Sequence, residues 1–391
     1  MKKRYQLLIV GAGPAGAYAA TEAARAGLDV LLADRKIEIG RPVCCAEATS
    51  LEGLSTFVEP RREFISTEIN SVKMTVSTGK ELLYDFGNTL GYVLDRPAFE
   101  KFLIDRAIER GVEFIGGAYV HDISINGNAL ASIQTDTGEY QIESDYIIGA
   151  DGVESQIGRM AGLETGLDLE HCETTLQYYV TNIEIEPNCL LFYVGDTYSP
   201  NGYLWVFPKS ENSANIGVGL NPYESDSKFL REKLDKFIKE NFPGGRVEFE
   251  TCGMVPKFKN FDTLGRENIL LAGDAARIID SVTGAGIARA LHTGQLAAQV
   301  IAEAIDTNLP HNQMQELYRS RVEKAIGRDM NILSKAYPVF RKFDNRDWEI
   351  LMEFLEGYLK NRTAESIDPA AMIKSVLTSA PRLLRLTRHL F

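Results

Sequence analysis

The order of apolar and polar positions divides the chain into segments of different period. Tyr5 to Val10 is an almost continuous apolar run, which predicts a strand buried on both faces of a parallel sheet. Gly11-Ala-Gly13-Pro-Ala-Gly16 follows at once, and alanine-rich sequence from Ala15 to Ala26 predicts a helix closed by Gly27. Leu28 to Ala33 predicts a second strand, with Asp34 at its end. An amphipathic stretch over 97–110, ended by Gly111, predicts a helix leading into a short strand at Val112–Ile115. Tyr119–Ser124, Ala129–Gln134 and Tyr140–Ser144 alternate around Asn126-Gly127 and Thr137-Gly138, the pattern of a three-stranded meander. Tyr146 to Gly152 reads as a strand running into a turn.

Between about 165 and 265 the character changes. Thr174–Val180, Leu190–Val194, Gly202–Phe207 and Ala214–Gly219 are rich in β-branched and aromatic residues and predict a second, antiparallel sheet, accompanied by a charged amphipathic helix over 227–241. Asn268–Ala272 returns to a buried strand ending in Gly273-Asp274. An alanine-rich helix follows from Ile287 to about Ile305, and from Asn312 the pattern is helical, with breaks expected at Tyr337-Pro338 and Asp368-Pro369. The expected class is α/β (α+β overall). A discontinuous nucleotide-binding domain takes 1–60, 92–164 and 266–310. A β-sheet substrate domain takes 61–91 and 165–265, and a helical region takes 311–391.

Composition narrows the function classes. The chain has 391 residues, 45% hydrophobic and 25% charged, which is ordinary for a folded globular protein. A net charge of −12 argues against non-specific nucleic-acid binding, which needs clustered positive charge. No apolar run approaches the roughly 20 residues that span a bilayer. Met1-Lys2-Lys3-Arg4 precedes only a short apolar run that ends in glycines, so it reads as the approach to a strand rather than a leader. Cys44, Cys45, Cys172, Cys189 and Cys252 form neither a disulfide framework nor a zinc motif, and the histidines have no metal spacing. A reduced, cytoplasmic setting without metal is expected.

The first candidate chemistry is the Gly-x-Gly-x-x-Gly fingerprint in its strand–turn–helix context. Gly11 permits the tight turn, Gly13 lets a pyrophosphate approach the backbone, and Gly16 lets the helix pack on the strand. The helix N-terminus offers N–H groups to phosphate, and Asp34 offers a carboxylate to ribose hydroxyls. The fingerprint occurs once. With the later Gly273-Asp274 segment, this predicts a tightly held flavin dinucleotide rather than a transient nicotinamide. Asp274 would accept from a ribityl hydroxyl, and the helix opening at Gly286-Ile287 would face the pyrimidine edge of the ring.

These motifs resemble those of the geranylgeranyl reductase family of flavoproteins, within the superfamily that contains p-hydroxybenzoate hydroxylase. The resemblance is carried by Gly11-Ala-Gly13-Pro-Ala-Gly16, Cys45-Ala46-Glu47, Arg96, Gly149-Ala-Asp151-Gly152, Gly273-Asp274-Ala-Ala-Arg277 and Gly284-Ala-Gly286-Ile287. Its most specific part is Tyr203-x-Trp205-x-Phe207-Pro208, followed after eight residues by Gly217-x-Gly219. It is strongest toward the archaeal members that saturate digeranylgeranylglycerophospholipids, and it covers residues 5–305 better than the C-terminal helices. The resemblance implies a Rossmann-like FAD-binding domain. It implies FAD contacts from Ala15, Asp34, Cys45, Ala46, Ala48, Arg96, Val120 (through its backbone), Asp274, Gly286 and Ile287. It also implies a prenyl-lipid substrate on Tyr203, Trp205, Phe207, Pro208, Gly217 and Gly219. The chain departs from the family pattern at Ala46 and Ala285, where glycine is common, and at Ser281, where proline is common.

Saturating an isolated alkene takes a hydride on one carbon, for which reduced flavin is the donor, and a proton on the other. Aromatic faces would stabilise positive charge developing on the alkene. Tyr203, Trp205 and Phe207 alternate along a strand and share one face, which reads either as the wall of an isoprenoid channel or as a core between sheets. Cys45 reads either as a group that delivers a proton or gates the ring, or as a small buried hydrophobe. Glu47 either positions its loop or relays a proton. A flavin monooxygenase or halogenase of the same superfamily is a second reading, and a non-catalytic flavin-containing lipid carrier a third. The electron donor is expected to be a ferredoxin-like protein or NAD(P)H. Residues 369–391 contain no acid and carry Lys374, Arg382, Arg385 and Arg388 among leucines, which reads either as a peripheral membrane contact or as a helix docked on the acidic body.

Overall fold

A computed structural model describes residues 2–222, 227–360, 362 and 368–379. The strand Arg4–Val10 lies between Val30–Asp34 and Gly138–Gly149, parallel to both. Glu113–Gly116 and Ile269–Leu271 extend the parallel sheet on either side. Leu7–Val10, Val30–Ala33, Tyr146–Ile148 and Ile269–Leu271 are apolar and buried because this part of the sheet is covered on both faces. The far part of Gly138–Gly149 also pairs antiparallel with Asn128–Thr135, and that strand with Tyr119–Asn126. One long strand thereby belongs to both the parallel sheet and the expected meander.

Helices Pro14–Arg25, Arg96–Ile108 and Ile287–Thr307 pack beside this sheet. Their closeness is set by small residues: a Cβ on Gly294 would sit 2.2 Å from the carbonyl oxygen of Ala15. Asp95 caps the second helix, its Oδ1 accepting from the Ala98 N–H at 3.0 Å.

The second sheet has seven strands, in the order Arg246–Pro256, Cys172–Thr181, Ser213–Leu220, Ser199–Ser210, Cys189–Gly195, Ser71–Val76 and Glu81–Asp85. Ser71–Val76 joins Cys189–Gly195 in parallel, and the other pairings are antiparallel. Helix Ser227–Asn241 covers one face, burying Leu230, Leu234, Phe237 and Ile238 against Leu176, Leu204, Val206 and Val218. A small sheet of Ala48–Ser50, Gly91–Leu94 and Ile65–Ile69 lies between the two larger ones.

The C-terminal helices correct one expectation. His311–Phe340 runs through Pro338 rather than breaking there. Proline within a helix removes one N–H and crowds the carbonyl four residues back. Here the helix persists only two residues further, so the defect is confined to its last turn. Pro369 opens the helix Pro369–Ser379, where its missing N–H costs nothing, and Asp368 Oδ1 accepts from Ala371 N–H at 2.9 Å. Among the described residues no helix is long and apolar enough to cross a membrane. Lys374 lies on the last described helix, while Arg382, Arg385 and Arg388 lie outside the described residues.

Candidate active site

The glycine turn divides its labour among three positions. Gly11 has φ +102°, and a Cβ there would sit 2.2 Å from Ala150 O. A Cβ on Gly16 would sit 1.8 Å from Gly11 O. Both glycines are required by the chain's own packing. A Cβ on Gly13 would meet nothing within 4 Å, which is the open space a pyrophosphate needs at a helix N-terminus. Helix Pro14–Arg25 has no side-chain cap. Asp34, at the end of its strand, accepts from Ala12 N–H at 2.6 Å and Lys36 N–H at 2.7 Å. A carboxylate has about four acceptor positions, so it retains capacity for ribose hydroxyls. Val120 is buried on the neighbouring strand, whose approach is tied to this region by the Ala118 N–H bond to Asp34 O (2.8 Å).

The Gly273–Ala276 turn packs on the same helix: a Cβ on Gly273 would lie 3.1 Å from Ala15 Cβ. Arg277, in the left-handed region at φ +62°, is buried and donates to Val153 O at 2.6 Å and to Thr165 O. It therefore binds the Gly-Asp turn to the Asp151-Gly152 turn. Burial pushes the Asp274 carboxyl above its ordinary range, against the pull of Arg96 and Arg277. Gly286 stands beside it, a Cβ there lying 3.3 Å from Asp274 Oδ1. Gly286 caps helix Ile287–Thr307 without a side-chain cap bond, so that the N–H groups and positive dipole end of a 21-residue helix lie next to the aspartate. A desolvated carboxylate, an uncapped helix end and the clear space at Gly13 fit the ribityl chain, ring edge and pyrophosphate of a flavin dinucleotide.

The Val43–Glu47 loop is fastened to the second sheet by residues that sequence reasoning did not single out. Gln177 Nε2 donates to Cys45 O at 3.0 Å, while its Oε1 accepts from Trp205 Nε1 at 3.1 Å. Thr251 Oγ1 donates to Val43 O at 3.1 Å. Glu47 is 3% exposed and has φ +71°, a conformation that needs outside support in a non-glycine residue. Its Oε1 accepts from Arg96 N–H at 2.7 Å; its Oε2 accepts from Lys209 Nζ at 2.6 Å and Asn215 Nδ2 at 2.7 Å. Lys209 and Asn215 come from the two strands that flank the turn after Phe207-Pro208. Their signal in the sequence was weak: a lysine and an asparagine among strand residues, one of which the buried acid needs as a counter-charge.

Cys45 lies in this loop, its sulfur accepting from Glu47 N–H at 3.2 Å. Burial pushes its thiol above the ordinary value, although Arg96 pulls the other way. It is held as a protonated thiol, not a thiolate. For Arg96, desolvation acts to lower the guanidinium, but Glu100, Cys45 and Glu47 outweigh it and the group is raised. Arg96 pairs with Glu100, its Nε lying 3.0 Å from Oε1.

The aromatic strand closes the site. Tyr203, Trp205 and Phe207 share a face with Ile69, Val93, Leu190 and Phe192, and meet Ala46 and Ala48. Leu204 and Val206 point the other way, into the helix-covered core. Trp205 pairs with Gly217 and Tyr203 with Gly219 across the ladder. A Cβ on Gly217 would sit 2.2 Å from the Trp205 ring, so the two glycines clear the surface over which the aromatic side chains lie. Tyr203 Oη donates to Thr283 O at 2.5 Å, and burial raises its phenol. Thr67 Oγ1 fixes the strand's far end by donating to Pro208 O at 2.8 Å. Thus the aromatic face, the Cys45–Ala48 loop and the turn before Ile287 converge.

Residues 171–254 match the geranylgeranyl reductase catalytic domain, and residues 9–50 match an NAD(P)-binding Rossmann-like domain. A digeranylgeranylglycerophospholipid reductase from Methanococcoides burtonii is 34% identical, covering 100% of this chain and 96% of its own. The crystal structure of a geranylgeranyl bacteriochlorophyll reductase-like protein from Thermoplasma acidophilum superposes with TM-score 0.92 at 31% identity, covering 100% of both chains. A myxobacterial chondrochloren halogenase, one of the FAD-dependent halogenases, reaches TM-score 0.71 at 16% identity over 99% of this chain and 97% of its own, a likeness of fold alone.

Proposed function

The chain belongs to the digeranylgeranylglycerophospholipid reductase family, and on that basis we propose that it uses FAD to saturate C=C bonds in the geranylgeranyl chains of archaeal-type phospholipids. The observation that carries the reading is the junction of aromatic face, Cys45 loop and Gly284–Ile287 turn, tied by the Tyr203–Thr283 hydrogen bond. Bound there, reduced FAD would supply the hydride. The protein supplies the rest. Gly13 and the first turn of helix Pro14–Arg25 would receive the pyrophosphate, and Asp34 the ribose. Asp274 would accept from the ribityl chain, and the N-terminus of helix Ile287–Thr307 would favour negative charge at the ring edge.

Tyr203, Trp205 and Phe207 exclude water and present π-faces to an alkene gaining positive character. Cys45 carries a proton at neutral pH beside that face and is the proton source. Glu47 is a positioning residue, because both its oxygens are engaged by Arg96, Lys209 and Asn215. Reducing equivalents come from a ferredoxin-like protein or NAD(P)H, and the basic segment 369–391 provides a peripheral membrane contact. Truncation before Pro381 should weaken liposome flotation; unchanged flotation rejects that contact.

Halogenases and hydroxylases of this fold need oxygen. The test is therefore to reduce the bound flavin anaerobically, add a digeranylgeranyl phospholipid and follow flavin absorbance. The reading predicts reoxidation without oxygen, in proportion to the alkene supplied. A flavin that stays reduced until air enters would exclude it.

A further inference from the structure

A cleft of about 490 Å³ opens where the end of strand Arg246–Pro256 meets the last turns of helix His311–Phe340. Its charged and polar lining suits an anionic group rather than an apolar chain. That lining is cationic on balance: Lys257, Lys259, Lys335 and Arg341 against Glu170, with His171 beside them. Lys257 is 2% exposed. Its ammonium lies 3.0 Å from Glu173 Oε1 and 4.8 Å from the centre of the Tyr337 ring, yet its N–H groups make no hydrogen bond. A buried ammonium in off-line contact with its counter-charge still has donors to give, and desolvation makes an added anion worth more than at the surface. The backbone fixes Lys257 in place, its N–H donating to His171 O at 2.7 Å.

The cleft adjoins the aromatic face. Glu173 bridges them: Oε1 meets Lys257, and Oε2 lies 3.9 Å from where a Gly219 Cβ would project, beside the Trp205 ring. On the cleft wall, Ser281 Oγ accepts from Phe258 N–H at 3.3 Å, and two residues on, Thr283 O accepts from Tyr203. Glu173 is thus shared by the cationic cleft and the face assigned to the prenyl chain.

We propose that this cleft binds the headgroup phosphate of the lipid substrate, with Lys257 as its buried donor and Lys259 and Lys335 as its rim, so that the phosphate anchors the chain along the aromatic face. This rests on the prenyl-lipid reading but is tested separately, by equilibrium binding without turnover. The full chain is titrated with dihexanoyl phosphatidic acid, with uncharged dihexanoylglycerol and with inorganic phosphate. Lys259→Ala/Lys335→Ala removes two exposed ammonium groups away from the core, and Lys335→Glu is the second variant should the first unfold. The expected result is that the phosphate lipid binds at least about tenfold more tightly than the uncharged one. The double variant lowers that ratio about tenfold, the scale of one lost charge-assisted hydrogen bond. Equal affinity for the two lipids, or an unchanged ratio in the variant, overturns the proposal. Inorganic phosphate binding as tightly as the phosphate lipid overturns it too, by making the cleft a site for free anions. Absence of saturated product in a separate turnover assay would count against the reductase reading and leave this result standing.

Discussion

Glu47 is held on both carboxylate oxygens and in a left-handed backbone conformation, so its removal should act first on stability. Glu47→Ala takes the carboxylate from the largely buried Lys209 ammonium, which keeps only Leu94 O, and from the Asn215 amide, which keeps only Ala46 O at 3.5 Å. Loss of one partner of a buried pair costs about 3–5 kcal/mol, measured as the change in unfolding free energy in denaturant. A role confined to proton relay would leave that value unchanged. Asp274 makes the opposite kind of prediction. Its carboxyl is raised by burial, so the folded chain binds that proton more readily than the unfolded chain. Its contribution is therefore most favourable below the unfolded carboxyl's pKa and declines as pH rises from there through the raised folded value. Asp274→Asn should abolish that decline in flavin-free protein. Asp274→Ala should weaken flavin binding about ten- to hundredfold, the range for a lost hydrogen bond to a charged group. Cys45 should alkylate with a pH midpoint above that of an unperturbed thiol peptide, as burial requires. A lower midpoint would describe a thiolate and remove it as proton source.

At the scale of elements, the glycine turn and the aromatic strand separate packing from binding. Gly13→Ala should leave the flavin-free melting temperature near that of the parent while weakening flavin affinity, because an added Cβ meets nothing of the chain within 4 Å and fills the space proposed for the pyrophosphate. Gly16→Ala should lower both, since its Cβ collides with the turn itself. Equal behaviour of the two variants would contradict the division. Gly217→Ala drives a methyl group into the Trp205 ring and should cost about 1–3 kcal/mol of stability. The glycine turn, the meander and helix Ser227–Asn241 were legible in the sequence because their signals are local: a fingerprint, turn dipeptides and a 3.6-residue period. The aromatic face was legible for the same reason. Lys209, Asn215 and Gln177 were not, because what gives them meaning is a loop 132 to 168 residues away. Pro338 misled for a different reason: it breaks a helix only when enough helix remains beyond it to lose.

Taken as a whole molecule, the two sheets are not independent. The Val43–Glu47 loop leaves the flavin side and is tied down by Gln177, Thr251, Lys209 and Asn215, all from the second sheet. The hairpin Ser71–Glu81 binds the second sheet to the C-terminal helices through Lys80–Glu353 at 2.7 Å and Thr78–Glu349 at 2.8 Å. Its parallel pairing with Cys189–Gly195 joins residues more than a hundred positions apart, which no local pattern announces. With the sheets so coupled, saturating FAD should raise the melting temperature of the entire chain in one transition.

The most direct test of the account is mass spectrometry of a digeranylgeranyl phospholipid after anaerobic incubation with the flavin-loaded protein and a reductant. The account predicts a ladder of products, each heavier than the last by two hydrogens, and its loss on Trp205→Ala. Unchanged lipid mass with the flavin fully reduced, or products carrying oxygen or halogen, would contradict it.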